Sequence, residues 1–171
     1  MELSYLTLLN IAFKGGNKMR ITKYRTELSH ERHNILVKES AVNYACERLD
    51  NPAAIIHMFN NVFSLNRMAE EYVYLAAFST TYKVLGIFEV SHGTVNTAAA
   101  NPREIFIRLL LSGASCFVIC HNHPSGDCEP SDEDIGLTKR IQQCANLMGI
   151  TFTDHIITGS SYYSFKEHNL L

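Results

Sequence analysis

The chain has 171 residues, 46% of them hydrophobic and 19% charged, which suits one packed domain and argues against global disorder. With 15 basic and 17 acidic side chains the formal charge is −2, no footprint for gripping a phosphate backbone; a local patch can hide in a neutral total, but DNA binding gains no support from charge. Its five cysteines, Cys46, Cys116, Cys120, Cys128 and Cys144, are odd in number and irregularly spaced, which fits a reducing cytoplasm better than a disulfide framework.

Residues 1–13 are apolar but lack a basic leading region and a small-residue cleavage site, so a secretory reading is rejected. No apolar stretch approaches the ~20 residues of a membrane helix. Lys14-Gly15-Gly16 can back-translate to the ribosome-binding sequence AAAGGAGG a few codons before Met19. Met19 is therefore read as the native start and residues 1–18 as an extension or disordered leader. Residues 19–66 read as an extended arm followed by helices. Ala41, Val42, Ala45 and Leu49 recur at helical spacing over residues 39–49. Asn51-Pro52 then opens a helix with Ile55, Ile56, Phe59, Val62 and Phe63 as its apolar stripe, and His57 is a surface or packing residue.

Residues 67–171 read as the second and larger unit, the one that carries the chemistry described below. Residues 72–79 and 84–90 are aromatic and β-branched runs joined by a turn, a hairpin pattern. Pro102 begins a helix that directs Ile105, Phe106, Leu109 and Leu110 inward and stops at Gly113. Residues 115–120 form a short buried strand, with Cys116 and Cys120 as buried thiols. Residues 131–148 form a helix with Ile135, Ile141, Cys144, Ala145 and Met148 toward the core, and strands follow at 151–158 and 162–165. Interleaved strands and helices set the class as α/β or mixed α+β, a mixed β-sheet flanked by helices.

The chemistry concentrates in Cys120-His121-Asn122-His123-Pro124-Ser125-Gly126-Asp127 and Pro130-Ser131-Asp132-Glu133-Asp134. His121 and His123 sit where a buried strand runs out, and residues i and i+2 of an extended segment point the same way. Pro124 holds the preceding residue extended. Asp134 lies in the first turn of the following helix, and the Gly126 loop can fold that turn back onto the histidines. Two imidazoles and one carboxylate leave a fourth tetrahedral position for water, with Zn–N distances of about 2.0–2.1 Å. Asp127 and Glu129 compete as carboxylates on composition alone. Ser131 and Asp134 also read as a capping box, compatible with a ligand role for Asp134.

The pattern H-N-H-P-S-G-D-x-x-P-S-x-x-D over residues 121–134 resembles the JAMM motif of JAB/MPN-domain metalloproteases, most closely the RadC branch, once named as bacterial DNA-repair proteins. The likeness extends over about residues 71–165, through His92-Gly93-Thr94-Val95-Asn96, Pro102-Arg103-Glu104-Ile105-Phe106, Asp154-His155-Ile156-Ile157 and Tyr163-Ser164-Phe165. The resemblance implies one zinc ion on His121, His123 and Asp134, with Ser131 stabilising the oxyanion. It also implies a glutamate at the start of the first strand as general base. Glu71 is the first choice and Glu70 the second, with Glu89 and Glu104 behind them. Two departures stand out: Cys128 replaces the usual proline, and no helix-hairpin-helix DNA-binding region is recognisable in residues 19–66. His155 is read as a structural or hydrogen-bonding residue.

The leading expectation is thus a zinc-dependent hydrolase that cleaves a peptide or isopeptide amide in a peptide or protein substrate. The competing expectation is a non-catalytic JAB-fold interaction module associated with DNA repair or mobile elements, which metal stoichiometry would distinguish. A zinc nucleobase deaminase is excluded, because H-x-E and P-C-x-x-C are both missing. The H-E-x-x-H helix of other metalloproteases is missing too.

Overall fold

The computed structural model describes residues 18–93 and 100–171. Residues 1–17 of the leader and Thr94-Val95-Asn96 of the quoted motif lie outside the described residues, while Lys18 already belongs to the first strand. Seven strands form one mixed sheet: β1 (Lys18–Leu28), β2 (Asn34–Ala45), β3 (Tyr72–Phe78), β4 (Val84–His92), β5 (Cys116–Asn122), β6 (Thr151–Thr158) and β7 (Tyr162–Ser164). Their order across the sheet is β2-β1-β4-β3-β5-β6-β7. β1 runs parallel to β4 and β5 parallel to β6, and the other neighbours are antiparallel. Helix α1 (Pro52–Phe63) covers one face, and α2 (Pro102–Ser112) and α3 (Asp132–Met148) cover the other. The chain is a mixed α/β protein, as the interleaving of strands and helices along the sequence implies.

Side-chain alternation divides the core between the two faces. Along β5, Cys116, Val118 and Cys120 pack toward α1, whereas Phe117 and Ile119 pack toward α2 and α3. Every residue of β5 is buried, so the strand reads in sequence as one apolar run with no alternation. Phe59, Phe78, Phe88, Phe117 and Phe165 are fully buried, each worth about 1.5–3 kcal/mol of transfer free energy. The helix starts follow their sequence signals. Asn51 and Asn101 cap α1 and α2, and Ser131 caps α3 with a reciprocal capping box.

Three expectations are corrected. Residues 39–49 are not helical; most of them belong to β2, which pairs along its whole length with β1. β2 is an edge strand with both faces partly in water, and Glu39 is an extra residue at a bulge opposite Lys23 and Tyr24. The bulge breaks the period of two, and pairing with β1 overrides the helical spacing of Ala41, Val42 and Ala45. Leu110 and Met148 are exposed, at 57% and 53%: Leu110 lies off the buried stripe of Ile105, Phe106 and Leu109, and Met148 is the last residue of its helix. None of the described helices is long and apolar enough to cross a membrane.

Candidate metal centre

His121 is the penultimate residue of β5 and points to the α3 side, opposite to Cys120. Just past the strand, the His123 N–H donates to the Thr158 carbonyl at 2.9 Å, which continues the alignment with β6. The next loop turns at Gly126, where φ is +85°, a conformation that favours glycine. The Gly126 carbonyl accepts from the Ser160 N–H at 2.8 Å, and a Cβ on Gly159 would lie only 2.5 Å from the same oxygen. This close backbone approach sets the loop so that α3 begins beside the histidines. Asp134, third residue of α3, then enters the site at 7% exposure.

The ligand atoms converge. His121 Nε2 and His123 Nε2 are 3.0 Å apart, and Asp134 Oδ1 and Oδ2 lie 3.2 and 3.4 Å from them respectively. Zn–ligand bonds of about 2.0–2.1 Å at tetrahedral angles require ligand atoms about 3.3 Å apart, which this triad matches. Both Nδ1 atoms are engaged elsewhere: that of His121 with His155 Nε2 at 2.8 Å, and that of His123 with the Asp127 carbonyl at 2.8 Å. A carbonyl only accepts, so His123 Nδ1 carries a proton and its Nε2 is the free lone pair when the ring is neutral. Two facing Nε2 atoms share at most one proton. Lone pairs and a carboxylate gathered at this spacing are what a divalent cation satisfies, so the residues fit the ion. Among the described residues, His121, His123 and Asp134 are the one group of His, Cys, Asp or Glu with this convergence.

The electrostatics point the same way. The Asp134 hydrogen bond raises the His123 pKa above 6.5, and the charge of Glu71 adds to the effect. Burial alone would raise the Asp134 carboxyl, but the His121 and His123 imidazoles facing it, in their protonated forms, and the hydrogen bonds from Ser131 outweigh it and hold the group far below the ordinary carboxylate range. Ser131 contributes twice, donating to Asp134 Oδ2 from its N–H at 2.8 Å and from its hydroxyl at 2.6 Å. His155 is fully buried, and burial pushes its pKa well down, so the ring is neutral.

Glu71 immediately precedes β3. Val73 pairs with His121, so two residues earlier the antiparallel register brings Glu71 alongside His123, on the same side of the sheet as the ligands. Glu70, one residue removed, is exposed and has the opposite parity. A residue that the sequence left unassigned, Asn122, secures this segment. It is 1% exposed, accepts from the Tyr72 N–H at 2.8 Å and donates to the carbonyls of Glu70 and Met68 at 2.9 and 3.3 Å. Its signal was a polar side chain between two ligands, on the strand face opposite to theirs. Glu89 binds Lys23 at 2.9 Å beside Tyr74 on the α1 side, and Glu104 pairs with Arg103 and Arg108. The Asp127 carboxylate caps the Glu129 N–H at 3.0 Å, and Cys128 packs with Ile157, Tyr163 and Phe165; neither joins the triad.

Comparison with known proteins agrees with this geometry. The model of the RadC-like JAB domain matches residues 49–170, leaving the β1–β2 hairpin outside the match. A UPF0758 protein of Clostridium novyi is 46% identical over 103 residues, which are 60% of this chain and 45% of the relative. Another, from Clostridium acetobutylicum, is 41% identical over 108 residues, 63% of this chain and 47% of the relative. A third, from Alkaliphilus metalliredigens, is 40% identical over 105 residues, 61% of this chain and 45% of the relative. The matches span about half the length of these curated relatives. With more than half of its residues matched and the His-His-Asp cluster in place, the chain belongs to the RadC-like JAB domain family.

Proposed function

We propose that the chain is a zinc-dependent hydrolase of the JAMM type that cleaves a peptide or isopeptide amide. The observation that carries this reading is the convergence of His121 Nε2, His123 Nε2 and Asp134 at ligand spacing, with a half-buried glutamate alongside. When bound, a divalent cation supplies Lewis acidity and lowers the pKa of a coordinated water to ~7.

The chain's own groups perform the rest. Glu71 takes the proton of the attacking water and returns it to the leaving amine, which must otherwise depart as an anion. Ser131 is poised for the developing negative charge on the substrate oxygen. Its hydroxyl can turn from Asp134 toward that oxygen, while its N–H, 2.8 Å from Oδ2, keeps the carboxylate in place. The reading draws support from membership of a family that includes metalloproteases and from the intact ligand triad.

The test is hydrolysis of a panel of fluorogenic peptides and isopeptide-linked conjugates by the full chain. Activity should vanish when the protein is stripped with a chelator and return on adding one equivalent of zinc. Cleavage that persists unchanged in the stripped protein would contradict the proposal.

A further inference from the structure

We propose that Thr138 and His155 form a relay that fixes His121 in its metal-ligating tautomer and ties it to the backbone of Asp134, which makes them positioning residues; the inference rests on the metal-centre reading above. Thr138 lies one helical turn after Asp134, and its Oγ1 is 2.7 Å from the Asp134 carbonyl. A carbonyl can only accept, so the single hydroxyl proton of Thr138 goes there. Thr138 Oγ1 is also 2.6 Å from His155 Nδ1 and, with its proton used, it must accept. His155 therefore carries its proton on Nδ1, and its Nε2 is the lone pair that faces His121 Nδ1 at 2.8 Å. His121 must donate across that contact, so its remaining lone pair is on Nε2, the atom turned toward His123 and Asp134.

The loop of contacts closes on itself. It leaves the Asp134 backbone, passes through Thr138, His155 and His121, and returns to the Asp134 side chain at 3.2 Å. Three elements, α3, β6 and β5, are locked together by it. Thr138 is 1% exposed, His155 0% and His121 1%, so solvent has no access to replace a lost partner. The His155 ring is held in plane by Phe165, stacked at 4.8 Å and 14°.

A ligand histidine is ordinarily oriented by a carboxylate or a carbonyl, which fixes the tautomer and increases ring basicity. A neutral imidazole gives the same orientation without adding a negative charge. Asp134 is then the one anionic ligand, and the bound cation retains more of its Lewis acidity.

Thr138→Val keeps the shape and removes the hydroxyl, whereas Thr138→Ser keeps the hydroxyl. Zinc affinity of each full chain is measured by competition with a chromophoric chelator, together with the visible spectrum of the cobalt-substituted protein. Thr138→Val should bind zinc ~10–100-fold more weakly, with an altered cobalt spectrum, while Thr138→Ser stays close to the parent chain. His155→Phe, which preserves the stack but removes both nitrogens, should weaken binding similarly and serves if Thr138→Val does not fold. Wild-type affinity in Thr138→Val or in His155→Phe would overturn the relay, as would equal losses in Thr138→Val and Thr138→Ser. A parent chain that binds no metal would instead overturn the metal centre itself, and the relay with it.

Discussion

Replacing Glu71 by glutamine is expected to lower amide hydrolysis by ~10²–10⁴-fold and to leave one metal ion per chain in place. Glutamine preserves size and hydrogen-bonding reach but cannot take up a proton. The candidate ligands come from β5, the loop after it and α3, and Glu71 is not one of them. The backbone at Glu71 is held independently, because Asn122 binds the flanking residues and the Glu71 carbonyl accepts from the Gly93 N–H at 3.0 Å. Glu70→Gln is the matched control. Its side chain is exposed and of opposite parity, so it should retain nearly full activity. A large loss in Glu70→Gln with Glu71→Gln intact would reverse the assignment.

Zinc should stabilise the chain by an amount that grows with pH, and Asp134→Asn should abolish the effect. At 100 times Kd a ligand that binds only the folded state contributes about 2.7 kcal/mol, which raises Tm by about 5–10 °C for a chain of this size. The sign follows from the two shifted groups. The His123 pKa is raised on folding, so in the metal-free chain its stabilisation is complete below 6.5 and is lost as pH rises through the higher folded value. The Asp134 pKa is lowered, so its contribution is present above 3.8 and is lost as pH falls toward the depressed folded value. The metal-free protein therefore weakens from weakly acidic toward alkaline pH as far as this pair is concerned. Metal binding requires the deprotonated imidazole, so the zinc-induced rise in Tm should be small near pH 5.5 and large near pH 8. Thermal melts with and without zinc at both pH values check this. A zinc effect independent of pH, or one retained in Asp134→Asn, would place the ion elsewhere.

The cluster of His121, His123 and Asp134 was legible because each member carries a local physical signal. His121 and His123 end an apolar run at a spacing of two, and Asp134 sits at the third position after a capping serine. That Glu71 and Glu70 turn to opposite faces was also available from strand parity once the start of β3 was recognised. What stayed hidden depends on pairing between distant segments. The β1–β2 hairpin has partly exposed faces and a bulge, so its apolar residues imitate a helical period. Thr138 gave no sign of its role, since a threonine on a helix acquires one only when β6 brings His155 against it. His155 itself announced a need for partners, being an imidazole inside an apolar strand, but its partners are 17 and 34 residues away in sequence.

Elemental analysis of the full chain, purified without added metal and then titrated with zinc, bears most directly on the metal centre. Binding should saturate at one zinc per chain, with anomalous scattering from a crystal placing the ion within bonding distance of His121 Nε2, His123 Nε2 and an Asp134 carboxylate oxygen. A chain that takes up no ion on saturation, or an ion located away from these three side chains, would contradict the account.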